Sequence, residues 1–297
     1  VSPDGRRIAF TASEEHYDLV EIPLDGPMRR VLATSRTETD AVWSPKGGQY
    51  AYVTDRTGRQ EVWLRSATGD FERPVVSEAS FRELPTLLLS GLAFSPDGQR
   101  LAFQRRGREG FRIWISTVAG GQAVRLSRDE GYQDTPTWSP DGAFIAFTSL
   151  RQGRWSLARV GTGGNEVPTT IREGITYPGN PRWSPRGDWI ACELPEGLAL
   201  VSPDDGTTRV LAEETWLAHT WSADGSLLYG VRVTDALRLQ LVAADVATGR
   251  TRTLVDDLGP APPTSVPLRG LSLSPDGRSL LTSIYRLRGD VWLLEGY

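Results

Sequence analysis

The sequence is poor in the residues that bind transition metals and form disulfides. It contains one cysteine, Cys192, and two histidines, His16 and His219, among 297 residues. A disulfide needs two cysteines, and a structural zinc site needs four ligands drawn mainly from Cys and His. These counts exclude an internal disulfide and zinc sites built on Cys pairs or on several histidines. We therefore expect no metal and no cofactor.

Long apolar runs and a net positive charge are also missing. The longest strongly apolar stretch, residues 84–94, contains Pro85, Ser90 and Gly91. It is much shorter than the run of about 20 apolar residues that spans a bilayer. The formal net charge is -4, so the surface as a whole does not attract nucleic acid or anionic membranes. We expect neither nucleic-acid binding nor membrane insertion.

Signatures of common active sites are absent from the sequence as well. There is no G-x-S-x-G nucleophile elbow, no H-E-x-x-H helix, no G-K-[ST] phosphate loop and no EF-hand loop. The two histidines are interpreted as unrelated loop or rim residues. We predict that the chain is not an enzyme, and a metal lyase would be reconsidered only if a metal-dependent activity were lost on changing either histidine.

Glycine and proline are abundant, with 31 and 20 residues, and many of them belong to one repeated tetrapeptide. Four copies read Ser-Pro-Asp-Gly and three are variants, with starts separated by 38 to 52 residues. This spacing is close to the roughly 40 to 45 residues of a four-stranded propeller blade. The copies begin at Ser2, Ser44, Ser95, Ser139, Ser184, Ser222 and Ser274.

Each copy has the chemistry of a hairpin corner. Proline presets φ for the second position of a turn, Asp or Ser accepts backbone N–H bonds, and Gly takes the left-handed conformation. Lys46 and Arg186 replace the Asp in two copies, which a turn tolerates and a metal or catalytic role would not. The predicted turn residues are Asp4, Gly5, Gly47, Asp97, Gly98, Asp141, Gly142, Gly187, Asp224, Gly225, Asp276 and Gly277.

The residues between corners read as strands. An apolar triplet such as 101–103 begins three residues after the corner glycine, and further β-branched or aromatic segments and Gly-containing turns follow. No segment of ten residues has a helical period. We predict an all-β fold with almost no helix. Specifically, we predict a seven-bladed β-propeller of four-stranded antiparallel blades, forming a single domain over residues 1–297.

An aromatic residue followed by Ser-Pro-Asp-Gly, then Ile-Ala-Phe and later Asp-Gly or Gly-Gly, resembles the WD40-like repeats of the TolB-type β-propeller family. The resemblance covers all seven motifs. It implies a bacterial protein, and it favours the periplasm or the extracytoplasmic side over the cytoplasm. One departure is that TolB proper has six blades after an α/β domain, whereas this chain shows seven motifs and no such domain.

Such repeats also occur in propellers of prolyl-oligopeptidase-like and tricorn-type proteases, and in sensory domains fused to bacterial kinases or winged-helix regulators. Residues 290–297 resemble the C-terminal ends of such regulators. The resemblance therefore implies a sensory propeller fused to another domain as one context for this chain.

Closure of a seven-bladed ring would need strands that this chain does not offer. After the last motif only a second strand and a third strand near 291–294 follow, and Val1 alone precedes the first motif. Because an unpaired sheet edge is an aggregation hazard, we expect residues upstream of Val1 in the natural protein to supply the missing fourth and first strands. We accordingly expect the chain to be a fragment of a longer protein.

The face opposite the corners is the expected ligand site, because two of the four loops of each blade open there. The predicted ligand-binding residues at the channel mouth are Asp40, Asp134, Asn180, Arg182, His219 and Arg269. Arginines in the surrounding loops, such as Arg56, Arg105 and Arg151, could bind carboxylates or phosphates. The alternative is an arginine-rich surface without a ligand.

The sequence therefore favours a non-catalytic binding or sensing module. Its expected partners are a protein, a peptide or a small anionic ligand. The alternative is the gating propeller of a prolyl-oligopeptidase-like serine peptidase whose catalytic domain lies outside this chain.

Overall fold

The computed structural model describes residues 7–82, 86, 88–164, 166–175, 179–261 and 268–295. In these residues, 24 strands form six sheets, each with four antiparallel strands. The helical content is a single 3-10 turn, Glu78–Ser80. The predicted all-β propeller of four-stranded antiparallel blades is confirmed, but the number of blades is six.

Five blades are built from strands that are consecutive in the chain. Blade 1 contains β3 (Glu38–Trp43), β4 (Gln49–Thr54), β5 (Glu61–Ser66) and β6 (Glu72–Val76). Blade 2 contains β7 (Leu88–Phe94), β8 (Arg100–Gly107), β9 (Gly110–Thr117) and β10 (Val124–Arg125). Blade 3 contains β11 (Tyr132–Trp138), β12 (Phe144–Arg151), β13 (Arg154–Gly161) and β14 (Thr169–Ile175). Blade 4 contains β15 (Gly179–Trp183), β16 (Ile190–Leu194), β17 (Gly197–Val201) and β18 (Thr208–Ala212). Blade 5 contains β19 (Ala218–Trp221), β20 (Leu227–Val233), β21 (Leu239–Asp245) and β22 (Thr251–Val255).

The closing blade combines strands from both ends of the chain. Its strands are β23 (Leu268–Leu273), β24 (Ser279–Glu295), β1 (Arg7–Pro23) and β2 (Arg29–Leu32). β1 and β24 pair along their whole length, and only the half near Pro23 and Ser279 is flanked by β2 and β23. The other half continues as a two-stranded ladder.

The predicted seventh blade is wrong, and the reason is this long ladder. Residues 8–10 and 291–294, expected in two different blades, are continuations of β1 and β24 that pair with each other. One blade therefore uses the strands that follow both the first and the seventh motif. The expectation that strands from upstream of Val1 are needed to complete the last blade is wrong too, because all four of its strands come from this chain.

The corners are held by short side-chain hydrogen bonds. In the corner at Ser139, the hydroxyl donates to Asp141 Oδ1 at 2.5 Å, and the Ala143 N–H donates to the same oxygen at 3.0 Å. The hydroxyl bond and the backbone bond hold the pKa of the Asp141 carboxyl below its ordinary value. Gly142 has φ of +72°. The corresponding Asp4 and Gly5 lie outside the described residues.

The variant corner at Ser184 keeps this bond by another route. Arg186 stands where most of the corners carry Asp, and Asp188, two residues later, accepts from the Ser184 hydroxyl at 2.5 Å. In this corner the carboxylate lies two residues later in the turn, and it still accepts the hydrogen bond of the corner serine.

Neighbouring corners pack on one another around the ring. In five of the six described corners the glycine lies beside the proline of the preceding corner, so that an added Cβ would lie 3.3 to 3.8 Å from a proline ring carbon. These pairs are Gly47 with Pro275, Gly98 with Pro45, Gly142 with Pro96, Gly187 with Pro140, and Gly225 with Pro185. Gly277 instead faces open space, because the preceding corner has Ala223 in place of proline.

The tryptophans before two of the corner serines join adjacent blades. The Trp138 indole N–H donates to the Ala93 carbonyl of blade 2 at 3.1 Å, and the Trp221 indole N–H donates to the Arg182 carbonyl of blade 4 at 2.8 Å. Apolar side chains of facing sheets fill the space between blades, as where Phe103 and Leu64 pack in one buried cluster. The apolar core therefore lies between the blades, around the axis, and does not fill the channel at the axis.

Candidate functional site

The first strands of the six blades surround the axial channel, and five of them carry a β-bulge at the same level. At each bulge one residue lies in the left-handed region of φ, and three of the five are not glycine. Non-glycine residues in this region are strained, and such strain is found preferentially at functional sites. The five residues are Asp40 (φ 55°), Gly91 (62°), Thr135 (49°), Asn180 (47°) and Gly270 (73°). The sixth first strand, β19, pairs with β20 without a shift of register.

These five residues line two chambers on the axis and stand between them. The corner chamber, of about 260 Å³, opens towards the Ser-Pro-Asp-Gly corners and reaches Pro45 and Pro96. The mouth chamber, of about 450 Å³, opens on the opposite face and is lined by the first residues of the first strands. We refer to the five residues as the waist.

The wall of the mouth chamber mixes polar and apolar side chains. The polar residues other than the waist are Ser90, Gln104, Tyr132, Asp134, Glu193 and Thr215. The apolar residues are Leu88, Phe111, Trp216, Leu217 and Leu268. Pockets with a largely apolar wall and a few well-placed polar groups are typical of ligand sites.

Hydrogen bonds among the polar residues hold this wall in place. Tyr132 Oη donates to Asp134 Oδ2 at 2.9 Å, and the Thr135 N–H donates to Asp134 Oδ1 at 2.7 Å. Burial, together with the charge of Asp134, raises the pKa of Tyr132, so this phenol is a hydrogen-bond donor at neutral pH. In the neighbouring blade 2, Ser90 Oγ donates to Gln104 Oε1 at 2.6 Å.

Glu193 joins blades 4 and 5 at the chamber wall. Asn180 Nδ2 donates to Glu193 Oε1 at 3.3 Å, and His219 Nδ1 lies 3.5 Å from the same oxygen. The His219 side chain is 0% exposed, and its Nε2 lies 3.3 Å from the Ala191 carbonyl oxygen. His219 therefore lies behind the wall and contacts the chamber only through Glu193.

The structure brings together three of the six predicted site residues. Asp40, Asp134 and Asn180 line the mouth chamber, whereas Arg182 lines the corner chamber. His219 is buried as described, and Arg269 is on β23 with its side chain outside the described residues.

Sequence reasoning missed Gln104, Tyr132 and Glu193. For two of them a signal existed, because Gln104 and Glu193 directly follow the apolar triplet of a second strand. That position is where a second strand reaches the mouth face. Tyr132 has no comparable signal.

The three arginines predicted to surround the mouth, Arg56, Arg105 and Arg151, are ion-paired or stacked. Arg56 lies 2.5 Å from Glu72, and Arg151 lies 3.3 Å from Asp129. Arg105 is 2% exposed, with its guanidinium 4.3 Å from the Phe81 ring centroid. These side chains are committed to partners within the protein, so the mouth face offers less to an anion than the sequence suggested.

The two histidines lie in different blades, His16 on β1 and His219 on β19. Within the described ranges, no group of three or more His, Cys, Asp and Glu side chains is placed to hold a metal ion. The described part of the chain also has no helix that is long and apolar enough to cross a membrane.

The family model of the TolB β-propeller domain matches residues 88–261, which is more than half of the chain. The chain belongs to this family. The uncharacterized protein Atu1656 of Agrobacterium fabrum is 28% identical over 252 residues, covering 78% of this chain and 82% of that protein. The Tol-Pal system protein TolB of Anaeromyxobacter dehalogenans is 28% identical over 123 residues, covering 41% of this chain and 26% of TolB. The uncharacterized peptidase YuxL of Bacillus subtilis is 34% identical over 205 residues, covering 64% of this chain and 28% of YuxL.

Solved structures show the same fold. The putative TolB from Agrobacterium tumefaciens superposes with a TM-score of 0.70 at 19% identity, covering 92% of this TolB-family chain and 99% of that one. TolB from Acinetobacter baumannii superposes with a TM-score of 0.61 at 16% identity, covering 98% and 67%. The alignments to the TolB of Anaeromyxobacter and to YuxL each span only about a quarter of the longer protein.

Proposed function

We propose that this TolB-family propeller is a non-catalytic binding module that holds an extended peptide segment of a protein partner in the mouth chamber. The observation that carries the proposal is the hydrogen-bonded polar wall of that chamber, set beside apolar side chains on the same strands. Binding groups held on a rigid scaffold lose little conformational freedom when a ligand binds. The family resemblance favours an extracytoplasmic location for this function.

A peptide suits this wall better than a compact small molecule does. Asn180 presents an amide group of the kind that pairs with a peptide backbone. The Gln104 amide supports the wall from behind, because it accepts from Ser90 Oγ at 2.6 Å and donates to the Gln133 carbonyl at 3.0 Å. Phe111 and Leu217 supply apolar surface for peptide side chains. The chamber is open to one face, so a segment can enter it while the rest of the partner stays outside.

The test is selection of 12-residue peptides from a phage-displayed library on the wild-type propeller, followed by fluorescence anisotropy with the selected peptide. Asp134→Asn and Phe111→Ala should each raise the Kd about tenfold or more, which corresponds to about 1.4 kcal/mol. Arg238→Gln is the matched control, because Arg238 pairs with Asp257 at 2.5 Å on the surface and does not line the chamber. A selected peptide whose Kd is unchanged in both chamber variants would contradict the proposal.

The rival function is the gating propeller of a serine peptidase, favoured by the 34% identity to YuxL. A gate must let substrate pass along the axis, whereas the waist residues stand between the two chambers. The sequence of the open reading frame that encodes this chain distinguishes the binding module from the peptidase gate. A hydrolase segment would support the gate, and a kinase or winged-helix segment would support a sensory module.

A further inference from the structure

The mouth chamber continues outward into a row of three aromatic rings. Phe111 and Tyr132 line the chamber, and their ring centroids are 4.9 Å apart. The Trp155 ring centroid lies 5.4 Å from that of Tyr132, with the two planes at 84°. Because Tyr132 is on the first strand of blade 3 and Trp155 is on the third, the row leads away from the axis. We refer to these three residues as the aromatic row.

The pairing of the strands explains why these rings meet. Residues that lie directly opposite each other on neighbouring strands share a face of the sheet. Tyr132 is opposite Leu150, which is opposite Trp155, so all three lie on one face of blade 3. Phe111 is opposite Arg106 and shares a face of blade 2 with it. The contact between Phe111 and Tyr132 shows that these two faces are turned towards each other.

The aromatic row is available to a partner. Each of its three residues is half-buried, so part of each side chain is at the surface. Aromatic residues and arginine are enriched at protein interfaces and among the residues that contribute most to binding. Tyr and Trp also offer a large contact area at a low cost in conformational entropy. The row therefore offers apolar contact to a segment that leaves the chamber.

Arg106 places a positive charge beside the row. It is exposed, and its guanidinium carbon lies 5.2 Å from the Phe111 ring centroid. The carboxylate of the same hairpin, Glu109, is already paired with Arg125 at 3.2 Å, and no carboxylate that the structure describes forms an ion pair with Arg106. Stacking on a ring uses the face of a guanidinium and leaves the N–H groups at its edge free to donate. A carboxylate accepts from two such N–H groups at once.

We propose that the segment bound in the mouth chamber runs outward over the aromatic row and places an acidic side chain on Arg106. This inference rests on the proposed peptide function and adds to it a direction and a chemical requirement. The partner is then a protein whose extended segment carries Asp or Glu beside apolar residues.

Arg154 provides a matched comparison. It is also exposed and lies on the hairpin that leads into Trp155. Because side chains alternate along a strand, Arg154 lies on the opposite face of blade 3 from Trp155, where it lines a separate cleft with Ser156 and Glu173. A segment that follows the aromatic row should not depend on it.

The test uses the 12-residue peptides selected on the wild-type propeller, with affinities measured by fluorescence anisotropy. We expect these peptides to share an Asp or Glu at one position. Arg106→Gln should raise their Kd about fivefold, which corresponds to about 1 kcal/mol. The control Arg154→Gln removes one exposed arginine of the neighbouring hairpin and should leave the Kd unchanged. Because Arg106 is exposed, its replacement leaves the packed core intact.

Exchange of the two charges distinguishes a direct contact from a general effect of charge on the mouth face. A peptide whose shared acidic residue is changed to lysine should bind the wild type more weakly and should regain affinity on Arg106→Glu. A purely structural effect of replacing Arg106 would not be reversed by a change in the peptide.

The outcomes separate this inference from the proposed function. Peptides that lose affinity in Asp134→Asn but bind Arg106→Gln as tightly as the wild type would overturn the inference and leave the proposed function standing. A loss in Arg154→Gln as large as in Arg106→Gln, or no recovery on charge exchange, would overturn it too. Peptides that lose affinity in Arg106→Gln but not in Asp134→Asn would contradict the proposed function instead. A selection that yields no peptide would overturn both.

Discussion

Replacing Ala223 with proline should stabilise the propeller. Ala223 occupies the position at which the other described corners carry proline, and it is exposed. The corner is held by the Ser222 N–H donating to the Leu227 carbonyl at 2.9 Å and the Gly225 N–H donating to the Ser222 carbonyl at 3.0 Å. Neither bond uses the Ala223 N–H, so proline removes no bond of the turn. It also brings a ring to the open side of Gly277.

The expected gain has two parts. A proline placed where the backbone already fits stabilises by about 0.4–1 kcal/mol, because it restricts the unfolded chain. Contact of the ring with the next corner adds up to about 0.5 kcal/mol if it removes roughly 20 Å² of apolar surface from water. The total is about 1 kcal/mol, which for a chain of this length corresponds to a rise in Tm of about 2 °C.

Urea unfolding followed by tryptophan fluorescence, together with calorimetry at one scan rate, measures this gain. Pro140→Ala is the reciprocal variant, since Pro140 lies beside Gly187 in the same way. It should lose about what Ala223→Pro gains. If Ala223→Pro lowered the midpoint, the corner at Ser222 would differ in backbone from the others, and the reasoning from equivalent corners would fail.

Three further variants test blade 1, blade 5 and the variant corner. Burial raises the pKa of Glu38 above its ordinary value of 4.5, so the folded state holds this proton more tightly than the unfolded state. The protonated Glu38 side chain therefore contributes stability below about pH 4.5, and this contribution is lost as the pH rises through the folded-state pKa. The stability of Glu38→Gln relative to wild type should therefore increase from pH 4.5 upwards, as measured by Tm against pH, and a constant difference would refute this. Gly230→Ala would place a Cβ 1.9 Å from Trp216 and should cost about 1–3 kcal/mol or more in urea unfolding, whereas a neutral result would mean that the Trp216 ring can move. Asp188→Ala removes the acceptor of the Ser184 hydroxyl and should cost about 1 kcal/mol in the same assay, and no loss would show that the relocated carboxylate is dispensable.

Matched controls are available for two of these variants. Gly163→Ala meets only the end of the Glu166 side chain, at 3.4 Å, and should change stability little. Asp141→Ala removes the equivalent acceptor of an unaltered corner. It should lose about as much as Asp188→Ala if the two carboxylates are interchangeable.

The corners and strands could be predicted because their signals are local. A corner is specified by four to six consecutive residues, through the φ of proline, an Asp acceptor and a left-handed glycine. The apolar triplet at 101–103 lies on β8, and the third-strand segment at 62–64 lies on β5, as predicted. None of these assignments depends on a residue from a distant part of the chain.

The number of blades depends on pairing between the two ends of the chain, which local patterns do not encode. Residues 8–10 have the composition of a second strand whether they lie inside a blade or in an extension beyond it. Their partners, residues 291–294, are more than 280 positions away. Counting motifs therefore overestimates the blades by one, because the closing blade takes strands next to two motifs.

The predicted site residues lie at different depths along the first strands. Asp134 lies five residues before its corner serine and Arg182 only two, so they lie on opposite sides of the bulge of a first strand and line different chambers, although both were predicted at one mouth. Glycine would have signalled such a bulge, but Asn180 and Asp40 do not. Because β19 alone among the described first strands has regular pairing, the waist is interrupted at blade 5. The channel consequently has no sixfold symmetry, and a peptide in the mouth chamber meets a different wall at each blade, which favours a single orientation of the bound segment.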